Sequence, residues 1–341
     1  MGAEARFTGV SMFSSGGIGD LALRAHGVEV LVASELLPDR ASVLQHNFPE
    51  IDVIVGDIGR KMGDFIDRAK ARLDGRGLDI LFATPPCQGM SKNGRGKLLQ
   101  RLNDGSRVLL DDRNQLILHA LTVARELEPR LVVFENVPEM ANTLIRDRTG
   151  AVRPIMEVVV EELGEAYEGS WEVIEFADYG VPQRRKRLIS VFTSDPSLQA
   201  QLQREGTLLP PRTHAAVPGD GLLPWVSVSE ALKDVPPLDA GSHATATSET
   251  PYHRVPILDD DKYFWVSNTP VGKGAFDNQC VSPTCGHDGN ATHGSTRDEL
   301  GVNRFLQTTP IQCERCVELL PRPWVRDSDG RVRLMKGYTS A

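Results

Sequence analysis

Short apolar runs alternating with helical segments fill the first two thirds of this chain, and no other feature restricts its fold as strongly. Residues 8–13 form one such run, which ends in a glycine-rich turn at 14–19 before a helix start at 21–26. The β-branched run 28–33 precedes a helical stretch at 38–47, and the run 51–55 precedes another at 58–73. Runs at 78–83 and 131–134 follow, the second after a helical segment at 114–127. A helix at 156–163 and runs at 171–176 and 187–192 close the series. Such alternation predicts an α/β fold with a mostly parallel sheet covered on both faces. The last two runs are separated only by residues 178–186, which suits an antiparallel hairpin at one edge. Strand order stays open at this stage.

Beyond residue 194 the character changes. Pro210, Pro211, Pro218, Pro224, Pro236 and Pro237 punctuate a stretch of weak periodicity, and 241–250 is small and polar. These features predict a boundary near 195, dividing 1–195 from 196–341. A length of 341 residues accommodates one large and one smaller domain. No apolar run approaches the roughly 18 to 20 residues of a membrane helix. Residues 1–10 lack a basic segment followed by an apolar one, so no secretory signal and a cytoplasmic protein are expected. The net charge of −8 argues against coating nucleic acid through overall charge but leaves room for a local basic groove.

Several residues are placed where such a fold does chemistry. The turn Phe13-Ser14-Ser15-Gly16-Gly17-Ile18-Gly19-Asp20 joins the first strand to a helix N-terminus, where backbone can approach a nucleotide-like ligand. By itself it serves equally for packing a helix on a strand, or for a nicotinamide dinucleotide. Glu35 ends the second strand, where an acid commonly binds ribose hydroxyls, and Asp57 follows the third. The fourth strand runs into Pro85-Pro86-Cys87-Gln88. Ligands sit at the carboxyl ends of strands in open α/β sheets, and two prolines stiffen the backbone ahead of the thiol. Of the five cysteines, Cys87 stands alone, while Cys280, Cys285, Cys313 and Cys316 cluster near the C-terminus.

Pro85-Pro86-Cys87-Gln88 resembles the nucleophile motif of the DNA cytosine-5 methyltransferases. Phe134-Glu135-Asn136-Val137 resembles the family's Glu-Asn-Val motif, and Gln183-Arg184-Arg185-Lys186-Arg187 its Gln-Arg-Arg-x-Arg motif. The three occur in family order over roughly 8–193. The resemblance implies a Rossmann-like S-adenosylmethionine-dependent methyltransferase of the bacterial restriction-modification or phage-defence type. It implies that Cys87 adds to carbon 6 of a flipped cytosine in double-stranded DNA, that Glu135 stabilises charge at ring nitrogen 3, that Arg187 contacts the carbonyl oxygen, and that Arg185 supports the pocket. It assigns the methyl donor to Phe13, Ser14, Gly17, Ile18, Gly19, Glu35, Leu36, Asp57, Ile58 and Pro85. Ser15 stands where the family usually has glycine, which makes the turn less permissive.

After Cys87, Lys92, Arg95, Lys97, Arg101 and Arg107 lie among glycines, as suits a mobile basic loop closing on phosphate. The spacing Cys280-x4-Cys285 and Cys313-x2-Cys316 suits a structural zinc, with His287 and His293 as alternative ligands. That makes 196–341 a linker and partial target-recognition region, irregular and zinc-bearing. The family's further recognition motif and closing helix are not found before Ala341. A truncated chain, or one half of a split enzyme completed by a second polypeptide, is the expectation. The rivals are a transfer RNA cytosine methyltransferase and an idle DNA-binding scaffold. A dehydrogenase would leave the Pro85–Gln88 motif unexplained.

Overall fold

The computed structural model describes residues 7–86, 112–250, 253–292, 295–297, 303–305 and 309–335. Cys87, the basic loop after it, His293 and the segment 336–341 lie outside the described residues. The chain packs into two compact units, 1–231 and 232–341.

In the first unit, β1 (Phe7–Met12), β2 (Val28–Glu35), β3 (Asp52–Val55), β4 (Ile80–Ala83) and β5 (Leu131–Asn136) are parallel, alternating with α1 (Ile18–Ala25), α2 (Pro38–Asn47), α3 (Ile58–Leu73) and α4 (Ile117–Leu127). A small antiparallel hairpin, β6 (Leu144–Arg146) with β7 (Val152–Pro154), leads into α5 (Ile155–Leu163). Then β8 (Glu168–Glu175) and β9 (Lys186–Thr193) complete a seven-stranded sheet of order β3-β2-β1-β4-β5-β9-β8. The expected antiparallel hairpin is the pair β8–β9, with β9 also antiparallel to β5.

Burial explains the arrangement. The central strands are buried on both faces, β2 along nearly its whole length, as parallel strands between two helix layers must be. One apolar cluster joins the sheet to Phe65 of α3, Leu121 of α4 and Val159 of α5. A second, with Ala41, Leu44 and Phe48, joins it to α2. Strand order reverses between β1 and β4, so the connections leaving their carboxyl ends diverge and open a crevice there.

In the first unit, the hairpin β6–β7 and the helix α6 (Pro196–Glu205) escape the sequence reading. The strands β6 and β7 are too short to show a period. Asp147 closes their turn, its Oδ1 accepting from the amides of Thr149 and Ala151, both at 2.9 Å. The helix α6 falls where periodicity fades, yet it carries clear end signals. Asp195 Oδ1 accepts from Ser197 N at 2.9 Å, Pro196 opens the helix, and Gly206 leaves it at φ +76. α6 packs on β8, and the division between compact units comes at Ala231/Leu232, downstream of the change in character near 195. Segment 112–116 is a tight 3₁₀ turn, so α4 begins three residues later than the pattern from 114 suggests.

The second unit contains a helix at Asp260–Ser267, capped by Asp259, and a hairpin pairing Trp324–Arg326 with Val332–Leu334. Trp265 and Trp324 pack edge to face at 5.6 Å. Arg322 is fully buried and donates to the carbonyls of Asn278 (2.8 Å), Ala291 (2.8 Å) and Pro310 (2.7 Å). Those contacts tie together the segments that carry the cysteine pairs. Among the described residues no helix is long and apolar enough to cross a membrane.

Candidate functional site

The turn after β1 is fastened to the end of β2. Ser14 N donates to Ser34 O at 2.9 Å, and Ser15 N donates to Glu35 Oε2 at 2.9 Å. Glu35 is nearly buried, and its Oε1 accepts from Leu37 N at 2.9 Å. The acid expected to meet ribose therefore also holds the turn, and each oxygen retains a lone pair for a ligand. Phe13 at φ +62 and Ser15 at φ +52 both adopt the left-handed conformation that favours glycine. The glycines solve a packing problem. A Cβ on Gly17 would stand 2.6 Å from Leu44 Cδ1, and one on Gly19 would stand 2.5 Å from the Phe82 ring. Beside them Ile18 and Leu36 stand in solvent, 85% and 61% exposed, and offer apolar surface to a flat ring.

At the end of β3, Gly56 N donates to Glu35 O at 2.9 Å, joining the second acidic position to the first. Asp57 caps α3, its Oδ1 accepting from Gly59 N at 2.9 Å. Ile58 has its side chain in the core, so only its main chain can meet a ligand. His119 on α4 lies against this corner: a Cβ on Gly59 would be 3.2 Å from both its ring and Asp57 Oδ1. Burial pushes its imidazole pKa down, Asp57 opposes this and Arg148 adds to it. The sequence reading gave His119 no role, nor Asp20, a buried acid in the first turn of α1 whose carboxylate accepts from Ser11. An acid three places into a helix after a glycine turn was the only available signal.

The carboxyl ends of β4 and β5 lie side by side, Ala83 opposite Phe134. Thr84 N donates to Met12 O at 3.2 Å and Thr84 Oγ1 to Phe13 O at 3.1 Å, joining β4 to the turn. Buried Asn136 donates from Nδ2 to Pro85 O at 3.0 Å, which pins the chain two residues before Cys87. Glu135 and Arg187 face each other across β5 and β9, with Arg187 Nε 2.7 Å from Glu135 Oε1 and side chains only 14% (Arg187) and 27% (Glu135) exposed. Burial pushes the Glu135 carboxyl above its ordinary value, and Arg187 opposes this by charge and by hydrogen bond without cancelling it. A carboxyl so placed can hold a proton and give it to an acceptor that gains negative charge.

The basic segment before β9 is anchored as well. Arg184 stacks on Trp225 at 5.3 Å, and Trp225 Nε1 donates to Asp178 Oδ1 at 2.9 Å. Arg185 is exposed, and its carbonyl accepts from Phe176 N at 3.0 Å. Nothing places its side chain beside Glu135 or Arg187.

In the second unit the Sγ atoms of Cys280, Cys285, Cys313 and Cys316 all lie within 4.8 Å of one another. Cys280 and Cys316 are 3.6 Å apart, and Cys285 and Cys313 are 3.9 Å apart. Zinc–sulfur bonds of about 2.3 Å in a tetrahedron require sulfurs about 3.8 Å apart, so the donor set fits that ion in both chemistry and size. His287 is not in the cluster; its carbonyl accepts from Cys280 N at 3.2 Å.

Comparison with known proteins shows the family. The family described as C-5 cytosine-specific DNA methylase matches residues 7–235. The chain is 32% identical over 273 residues to the type II methyltransferase M1.HgaI of Avibacterium volantium, covering 79% of this chain and 67% of that protein. It is 31% identical to the type II methyltransferase M.AquIA of Picosynechococcus, covering 67% of this chain and 88% of that one. Similarity to M.XorII of Xanthomonas oryzae, also 31% identical, covers 53% of this chain but only 39% of that protein.

Proposed function

Because the chain belongs to the C-5 cytosine-specific DNA methylase family, we propose that it methylates carbon 5 of a cytosine flipped out of double-stranded DNA, through a transient bond from Cys87 to the ring. The observation that carries this reading is the half-buried Glu135–Arg187 pair, 2.7 Å apart, beside the strand end that Asn136 fixes through Pro85. S-adenosylmethionine, when bound, supplies an electrophilic methyl group. Its adenosine would lie against Ile18, Leu36, Glu35 and Asp57, where apolar surface and free carboxylate lone pairs coincide.

Carbon 5 of cytosine is a poor nucleophile. Addition of the Cys87 thiolate to carbon 6 makes the ring an enamine and drives charge to nitrogen 3. A free thiol titrates at about 8.5, so Pro85 and Pro86, which stiffen the chain ahead of it, would do part of the work. Glu135, its carboxyl biased toward the protonated form, gives nitrogen 3 a proton, and Arg187 holds the carbonyl oxygen. Once carbon 5 carries the methyl group, a base removes its remaining hydrogen, nitrogen 3 returns its proton to Glu135, and Cys87 leaves as thiolate. The base must be flipped because neither group can reach a stacked cytosine. In 232–341, Cys280, Cys285, Cys313 and Cys316 would hold a structural zinc, with no open position implied.

Trapping on duplex DNA carrying 5-fluorocytosine, with S-adenosylmethionine present, tests the chemistry. Fluorine at carbon 5 blocks the final elimination, so the expected result is a covalent adduct absent from Cys87→Ala. If the chain is one half of a split enzyme, the adduct forms only when the second polypeptide is added; no adduct either with the native chain alone or with that polypeptide present would overturn the reading. An adduct with fluorocytosine-bearing transfer RNA and none with DNA would transfer it to the other substrate.

A further inference from the structure

Beneath the turn, Asp20 and Ser11 are each 1% exposed. Ser11 Oγ donates to Asp20 Oδ1 at 2.5 Å, and the oxygens of Ser11 and Ser14 are 2.6 Å apart. A hydroxyl has one proton and two lone pairs. Ser11 commits its proton to Asp20, so the hydrogen between Ser11 and Ser14 must come from Ser14. That leaves the Ser14 oxygen with acceptor capacity and nothing to donate. Ser14 itself is half-buried, and its amide is bonded to Ser34 O at 2.9 Å, which fixes its place in the turn.

From this order we infer that the chain Asp20–Ser11–Ser14 makes Ser14 an acceptor-only group that selects the cationic α-ammonium end of the S-adenosyl ligand. The inference rests on the reading of this turn as the methyl-donor site. Charge explains the preference: a hydroxyl whose proton points down a chain ending in a carboxylate carries extra electron density and suits a cation. Burial pushes the Asp20 carboxyl above its ordinary value, and the Ser11 hydroxyl and Asp20's own amide oppose this by favouring the ionised form without cancelling it; the order of donors rests on the geometry of the two short contacts. Asp20 touches no ligand on this view and is a positioning residue. Glu35 and Asp57, at the ends of β2 and β3, are left for the ribose and the base.

The test is calorimetric binding of S-adenosylhomocysteine and of its analogue lacking the α-amino group, to the native chain, Ser11→Ala and Asp20→Asn. Asparagine keeps the shape but removes the negative charge that draws the Ser11 proton and, through it, the Ser14 proton. The native chain is expected to prefer the amino compound by about ten-fold, the size of one charged hydrogen bond, and both variants to bind the two compounds within about two-fold of each other. Should Ser11→Ala fail to fold, the near-isosteric Asp20→Asn decides alone. Retention of the native preference in a folded variant would overturn the inference, as would equal weakening of both compounds, which marks a purely structural role. Failure of the native chain to bind either compound would instead remove the donor-site reading, a result independent of DNA trapping.

Discussion

At Glu135 two influences oppose each other. Burial raises the carboxyl pKa and Arg187, 2.7 Å away, lowers it, with burial the larger. The sign of the consequence is fixed. A carboxyl with a raised folded-state pKa contributes stability that is full below its unfolded value, and this contribution is lost as pH rises through the folded value. In its ionised form the acid is therefore a burden on the fold, accepted for chemistry. Glu135→Gln is expected to leave the melting temperature at pH 7 unchanged or slightly higher while methyl transfer falls by about 10² to 10⁴; paired melting curves and rates check it. Ser15 is a second strained position, at φ +52. Glycine there removes about 1 to 2 kcal/mol of left-handed strain and restores about half as much unfolded-state freedom. Ser15→Gly should thus stabilise the chain by about 0.5 kcal/mol, a melting shift of roughly one or two degrees.

At the scale of elements, the site is a set of strand ends stitched across the sheet. Glu35 holds the turn after β1, Gly56 hangs from Glu35, Thr84 reaches Phe13, and Asn136 reaches Pro85. Removing a stitch should misplace chemistry more than it unfolds the sheet. Asn136→Ala leaves the Pro85 carbonyl without its donor, and a cost of about 1 to 2 kcal/mol is expected. Its kcat should fall about ten-fold with the KM for the methyl donor unchanged, as steady-state kinetics would show. Gly17→Ala is the contrasting case. The residue sits at φ +91 with Leu44 2.6 Å from the added carbon, so strain and overpacking together should cost about 2 to 4 kcal/mol. A melting temperature lowered by roughly 5 to 10 degrees is expected; an unchanged melt would mean that α1 and α2 can separate freely.

For the whole molecule, the two units are held by different means. The first has a sheet with apolar clusters on both faces. Among its described residues the second has little regular structure and is organised around Arg322 and four gathered thiols; a zinc held there, as proposed, would supply folding energy directly. Metal analysis should find about one zinc per chain. Strong chelation should then unfold 232–341, seen as fast amide exchange confined to that region, while 1–231 keeps its melting transition and its affinity for S-adenosylhomocysteine. Loss of both units together would show that the first depends on the second for stability.

The alternation of apolar runs and helices determined the sheet, since a strand buried on both faces has few other sequences open to it, and α2 and α3 appear with the limits their patterns suggest. The motifs that contain Cys87, Glu135 and Arg187 carried the resemblance to the family, and the family match over residues 7–235 bears it out. Short elements such as β6–β7 left no period to read, and α6 was hidden among prolines despite its Asp195 cap. Only the tertiary structure could decide the rest: the strand order that sets β9 beside β5, the pairing of Arg187 with Glu135 across that contact, the burial that shifts the acid, and the meeting of Ser14, Ser11 and Asp20 in one hydrogen-bonded chain beneath the turn. Each depends on distances that packing fixes to within a fraction of an ångström, and spacing along a sequence carries no such distance.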